Sequence, residues 1–206
     1  MPVTRILPIQ SPDVIQQVKK VLGNGGLVAF PTDTVYGLAA PIDQQASIDL
    51  LFEVKGRSFN KAIPVLIGDL DQLPLLTLGF SESAKKLSEV FWPGALTLIV
   101  KIRKGLPPNL SPSPSIGIRM PNHPFILSML RQTGPLATTS ANLSGGNNTL
   151  TAQEVIDQLG NKIDLLLDGG QTPGAVPSTV VDCTQKEISI LRLGSISETD
   201  LHRALD

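Results

Sequence analysis

Cysteine is all but missing from this chain of 206 residues, where Cys183 stands alone. A single cysteine excludes an internal disulfide and any cysteine-rich zinc site. Its place inside an apolar strand makes it a core residue. Histidine is nearly as scarce. His202 falls in a terminal helix and reads as a surface residue, and His123, beside Pro124, reads as structural. A metal cage of His and Cys therefore has little to build on, and no metal ligand is expected. Aromatic residues make up 4% of the chain, few for a platform that stacks bases. The net charge of −1 supplies no global field for nucleic acid or an anionic membrane, though it leaves room for a local basic cleft. No apolar run approaches the ~20 residues of a membrane span. Met1-Pro2-Val3-Thr4-Arg5 lacks the apolar segment of a secretion signal. A nucleophile elbow, a G-x-x-x-x-G-K-[ST] loop and a G-x-G-x-x-G after a strand are all missing. The expectation is a cytoplasmic protein with no membrane partner, folding as one domain over residues 1–206.

What is present is organised around the stretch from Gly25 to Leu38. Leu27 to Phe30 is a short apolar run between a glycine pair and Pro31, the pattern of a covered strand. Proline has no N–H, so the ladder should end there. Thr32, Asp33, Thr34 and Tyr36 then place four polar side chains in five positions, and Gly37 should let the chain turn. Such a hinge at a strand end can hold a small polar ligand, or can be a turn whose hydroxyls cap their own backbone.

The rest of the chain alternates between helical and extended patterns. Residues 3–9 read as an edge strand, and Ser11-Pro12 as the start of a helix carrying Val14, Val18, Val21 and Leu22. Helices are expected near residues 44–55, 81–90 and 123–131, from the Thr151–Glu154 capping box to Leu159, and after Ser197. Strands are expected at 64–67, 95–103, 116–120, 136–137, 164–168, 178–183 and 188–193. Residues 104–115 hold four prolines and read as a stiffened loop or a flap. Some strands follow one another directly, which argues an α/β fold with a twisted, mixed sheet and packed helices in a single domain.

Two residue sets carry the chemistry. One is cationic: Lys55, Arg57 and Lys61 within a seven-residue loop, with Arg119 and Arg192 near the ends of strands. The other is small and polar: Thr32, Thr34, Thr138, Ser140, Asn142 and Ser178. This inventory suits phosphate binding and substrate positioning better than covalent catalysis. Arg119, a charge inside an apolar run, should meet a protein carboxylate or an anionic ligand.

Seven segments in order then carry a resemblance. They are Pro31 to Leu38, Lys55-Gly56-Arg57, Trp92 to Thr97, Gly117 to Pro121, Thr139 to Gly145, Pro177 to Val180, and Leu191 to Gly194. Together they resemble the YrdC-like threonylcarbamoyl-adenylate synthases, over nearly the whole length. The resemblance implies a YrdC-like fold and a reaction joining L-threonine, bicarbonate and ATP into threonylcarbamoyl-AMP and pyrophosphate, with magnesium on the nucleotide. The product would pass to the machinery that makes t6A in tRNA. By resemblance, Thr32, Thr34 and Tyr36 line the threonine pocket, and Arg119 holds the threonine carboxylate with Thr138 and Ser178. Lys55, Arg57, Lys61 and Arg192 face the ATP phosphates, with Ser115, Ser140 and Asn142 nearby; Lys55 and Arg57 are the catalytic pair.

Two departures stand out: Ser58 replaces the family's usual proline after Arg57, and Gly146 replaces another after Gly145. The chain also ends without the added C-terminal domain of longer members, as in the short form. A competing reading is a module that binds tRNA, double-stranded RNA or a ribosomal precursor through the same basic cleft; near-neutral charge and few aromatics weigh against it. Carbamoyl transfer by zinc-finger-bearing relatives is disfavoured by the single cysteine.

Overall fold

In the computed structural model, which describes residues 3–174 and 176–206, the chain opens with a short strand, β1 (Arg5–Pro8), and a helix, α1 (Val14–Gly23). Val14, Val18 and Leu22 are buried, as their helical spacing requires. The helix begins two residues later than Ser11-Pro12 suggests. Ser11 N donates to Pro8 O and Val14 N to Ser11 O, so Pro12 sits in a turn rather than a first helical turn.

Strand β2 (Val28–Phe30) is fully buried and stops at Pro31. The chain then returns as β3 (Gly37–Pro41), antiparallel to β2 with Phe30 opposite Gly37. The sequence did not announce β3, because Gly, Ala and Pro are depleted in strands. Gly37 is consequently not a free turn. It is a paired strand residue, and a Cβ there would meet Thr138 Cγ2 at 2.9 Å. Small residues in β3 allow tight packing on both faces of a central strand. The polar hinge is thereby the loop of a hairpin.

The remaining helices are α2 (Gln45–Lys55), α3 (Glu82–Phe91), α4 (Pro124–Thr133), α5 (Ala152–Leu159) and α6 (Glu198–Leu205). The remaining strands are β4 (Val65–Leu66), β5 (Leu96–Lys101), β6 (Ser115–Arg119), β7 (Leu136–Ser140), β8 (Leu165–Asp168), β9 (Thr179–Asp182) and β10 (Ser189–Arg192). They form one sheet of ten strands in the order β1-β8-β2-β3-β7-β4-β6-β5-β9-β10. It is mixed: β8 runs parallel to β1 and β2, while β7 is antiparallel to β3 and β4. β1 lies at one edge, as its position in the sequence suggests. β7 runs three residues beyond Ala137, because its polar residues Thr138 to Ser140 pair with β3.

Two apolar layers cover the sheet. Val28 and Phe30 join Val14, Val18, Ile126 and Leu130 on the side of α1 and α4. Ala29 and Leu38 join Ile48, Leu51, Leu87 and Val155 on the side of α2, α3 and α5. The proline-rich segment 104–115 is pinned at its middle: Leu110 is buried, its carbonyl accepts from Ile63 N at 3.1 Å, and Asn109 Nδ2 donates to Asp49 Oδ1 at 2.7 Å. Of the two readings of this segment, the anchored loop fits better than the flap.

Candidate active site

The hairpin loop after β2 faces the ends of β6, β7 and β10 across a cavity of about 200 Å³. That is below the ~300 Å³ typical of sites for drug-sized ligands, so the enclosed part suits a small metabolite. Thr32, Thr34, Tyr36, Arg57, Arg119, Thr138, Ser140, Ser178 and Arg192 all line it. Nine side chains singled out in the sequence thus converge although they span residues 32 to 192.

Arg119 comes from the last position of β6 and is almost wholly buried. Its Nε donates to Gly94 O at 3.0 Å, its Nη1 to Thr34 Oγ1 at 3.0 Å, and its Nη2 to Asp33 Oδ1 at 2.5 Å. Of the two partners open to it in the sequence, the protein carboxylate is present. Burial lowers the pKa of the guanidinium, Asp33 opposes that effect and Arg192 adds to it. A guanidinium has five N–H bonds; three are engaged, leaving one on each Nη. Gly94 reaches Arg119 because its own N–H is anchored on Met120 O at 2.8 Å, which fits the Trp92-Pro93-Gly94 segment into the site.

The hinge hydroxyls satisfy one another. Thr32 Oγ1 donates to Val35 O at 2.7 Å and accepts from Thr34 N at 3.1 Å. It has a single proton, so across the 3.1 Å contact between the two hydroxyls Thr34 must be the donor. Thr34 thereby gives its proton to Thr32 and a lone pair to Arg119. Both readings of the hinge hold together: it caps its own backbone, and it lines the cavity. Tyr36 is fully buried; its hydroxyl donates to Gly170 O at 2.8 Å and accepts from Gly169 N at 3.2 Å. Burial raises its pKa, keeping the phenol protonated and the loop after β8 fastened to the hinge. Thr138 donates to Leu136 O at 3.0 Å.

Arg57 and Arg192 have no carboxylate partner among the described residues. Arg57 Nη2 donates to Ala62 O at 3.0 Å, and its Nε is buried without a hydrogen bond. Arg192 Nε and Nη2 both donate to Ser178 O, at 3.0 and 2.9 Å. Burial lowers the pKa of both guanidinium groups. The segment after β10 packs against the start of β9, where a Cβ at Gly194 would meet Pro177 O at 2.2 Å and Thr179 N at 2.5 Å. Only glycine permits that approach, and it sets Arg192 against Ser178.

Four expected residues stand elsewhere. Lys55 is buried and donates to Ser140 O, Asn142 O and Asn142 Oδ1, outside the cavity lining. Burial, with the charge of Arg57 second, pulls its pKa down to about 7. Asn142 is buried behind Ser140, whose hydroxyl donates to Asn142 Oδ1 at 2.5 Å. Lys61 is exposed and does not line the cavity, since its loop turns at Ser58 and carries it into solvent. Ser115 begins β6, at the opposite end from Arg119, and lines a separate hollow with Lys101 and Thr184.

Thr97 and Thr139 belong to the site but were not singled out, and Asp33, named only as a polar residue of the hinge, was given no role there. Thr97 Oγ1 lies 2.8 Å from Ser178 Oγ, and Thr97 and Thr139 line the cavity. All three lie within motifs quoted for the resemblance, which was the signal available for them. His123 lies near enough to Asp33 for the carboxylate to raise its pKa, though burial lowers it more. Cys183 is buried, with its thiol pushed up to about 12, in keeping with a core role.

Among the described residues there is no group of three or more His, Cys, Asp or Glu able to hold a metal ion. Asp33 is committed to Arg119. These donors do not build a metal cage.

The whole chain was also compared with known proteins. A family model for Sua5/YciO/YrdC, described as telomere recombination, matches residues 20–194. The chain is 39% identical over 197 residues to the threonylcarbamoyl-AMP synthase of Bacillus subtilis, covering 93% of this chain and 56% of that protein. It is 36% identical to a putative threonylcarbamoyl-AMP synthase of Mycobacterium tuberculosis, covering 84% of this chain and 80% of that one. The solved structure of P. abyssi Sua5 complexed with L-threonine aligns with a TM-score of 0.94 at 31% identity, covering 98% of this chain and 61% of the other. The chain thus spans a little over half the length of the Bacillus relative.

Proposed function

This chain belongs to the Sua5/YciO/YrdC family, and on that premise we propose that it is a threonylcarbamoyl-AMP synthase. It joins L-threonine, bicarbonate and ATP into threonylcarbamoyl-AMP, releasing pyrophosphate and water. The reaction transfers a nucleotidyl group.

The observation that carries this reading is the convergence of Arg57, Arg119 and Arg192 on one small cavity, with only Arg119 neutralised by a carboxylate. Arg119, Thr34, Tyr36, Thr138 and Ser178 form the end suited to a zwitterionic amino acid. Arg119 offers its two remaining N–H bonds to the carboxylate. Arg57, Arg192 and Ser140 form the end suited to phosphates, where a guanidinium makes charge-assisted, often bidentate contacts. Between them the threonine amine attacks bicarbonate with loss of water, giving a carbamate whose oxygen attacks the α-phosphorus as the bond to pyrophosphate breaks, and pyrophosphate leaves against charges that need no rearrangement. Lys61 and Ser115 are given no part at the reacting atoms. The product is consumed by the t6A machinery acting on tRNA, in the cytoplasm. No helix among the described residues is long and apolar enough to cross a membrane.

The test is pyrophosphate release from ATP, with mass spectrometry of the products. Release that requires both threonine and bicarbonate, with threonylcarbamoyl-AMP present, supports the reading. Tight binding of double-stranded RNA with no release under any substrate combination would favour the RNA module.

A further inference from the structure

Lys55 is the last residue of α2 and 3% exposed, yet it does not line the cavity. Its ammonium donates to the carbonyls of Ser140 and Asn142 and, at 3.4 Å, to Asn142 Oδ1. An ammonium has three N–H bonds, and three oxygens of one turn take them. None is left for a phosphate. The backbone closes the same junction, with Ser144 N donating to Lys55 O at 2.9 Å. Around this point Asn142 Nδ2 donates to Leu143 O and Gly146 O, at 2.9 and 2.8 Å, and Ser140 Oγ to Asn142 Oδ1. The turn over residues 140–146 is therefore built around the Lys55 ammonium, while Ser140 also faces the cavity.

We propose that Lys55 is a positioning residue, whose ammonium holds the 140–146 turn in the conformation that presents Ser140 to the nucleotide. The phosphates are met by Arg57 and Arg192 instead. The proposal deepens the synthase reading and rests on it for the identity of the nucleotide. Its physical basis is the cost of leaving carbonyls without donors: if the cation is removed, the Ser140 and Asn142 carbonyls each lose a buried partner, and the turn must open to reach water. Arg57 cannot replace it, because its guanidinium is turned to Ala62 O and the cavity.

The experiment is backbone hydrogen exchange on the ligand-free protein, comparing the parent, Lys55→Met and Arg57→Met. In Lys55→Met, amides of residues 141–146 should exchange about ten- to a hundredfold faster, the loss of a charged hydrogen bond. Amides of β8 should be unchanged, and Arg57→Met should leave the turn as in the parent. In the pyrophosphate assay, Lys55→Met should lower kcat with little change in the KM for ATP. Unchanged exchange in ligand-free Lys55→Met, with weakened ATP binding, would overturn the proposal and make Lys55 a direct phosphate ligand. If Lys55→Met does not fold, Lys55→Arg serves, because the wider planar fork cannot satisfy the same three oxygens. The exchange measurement uses no substrate, so its outcome is separate from that of the synthase reading, which falls if the parent releases no pyrophosphate.

Discussion

Arg119 and the pair Arg57 and Arg192 line the same cavity, but they are held differently. Arg119 is almost fully buried, with Asp33, Thr34 and Gly94 on three of its N–H bonds. Arg57 is half-buried and Arg192 is exposed, and they rest on neutral oxygens of Ala62 and Ser178. A buried guanidinium, which does not give up its proton, needs a counter-charge, because desolvation in a poor dielectric costs several kcal/mol. A charge at a cavity mouth keeps part of its hydration and can wait for an anion. The contrast separates two kinds of recognition: a locally neutral end for an amino acid, and a net positive end for phosphates.

The sharpest way to break this comparison is to remove the counter-charge. Asp33→Asn leaves Arg119 uncompensated and should cost about 3–5 kcal/mol of stability, read as a lower urea midpoint. An Asp33→Leu, Arg119→Met double variant should recover much of that loss while remaining inactive. Full stability of Asp33→Asn alone would mean that the ion pair is not what holds Arg119.

Substitutions at the other end should act on turnover. Arg57→Lys and Arg192→Lys should each slow pyrophosphate release about 30- to 1,000-fold, equivalent to about 2–4 kcal/mol, with melting temperatures close to the parent's. Lysine keeps the charge but loses the fork. Turnover near the parent's in both variants would remove these residues from the phosphate end.

A smaller effect is expected at Thr34. Thr34→Val takes an acceptor from Arg119 and a donor from Thr32, and should cost about 1–3 kcal/mol of stability. Because its hydroxyl is already engaged, selectivity for threonine over valine should fall only through the displacement of Arg119. Loss of selectivity with no loss of stability would instead make Thr34 a direct substrate contact.

The last prediction concerns pH, where the readout is a slope rather than a single loss. The Lys55 ammonium has its pKa lowered from 10.5 to about 7 by burial. Between those values the unfolded chain binds more protons than the folded one, so stability should rise with pH from about 7 upward, by at most about 1.4 kcal/mol per unit. Urea melts at stepped pH should show this slope in the parent and lose it in Lys55→Met. The same slope in both would assign it to another group.

Much of this was legible in the residues. The covered strand ending at Pro31, the helix carrying Val14, Val18 and Leu22, and the capping box at Thr151 and Glu154 all formed where local patterns place them. β3 was illegible because its small residues are a response to close packing rather than a strand signal of their own. Lys61 and Ser115 show the limit of motif spacing. Both lie just outside the quoted segments, and a loop that turns at Ser58 and a strand that carries Ser115 to its far end take them away from the cavity.

Composition and order of residues settled which chemistry was available: arginines and hydroxyls, one cysteine, and a family signature in seven segments. The chain's own pattern also settled that Arg119 required a partner. Which partner it took, and that Lys55 spends its three donors on a neighbouring turn, were decided only when the sheet brought together residues separated by 86 and 85 positions. Hydrogen-bond valence and desolvation act on distances in space, and no spacing along the chain encodes a contact between β6 and the β2–β3 hairpin.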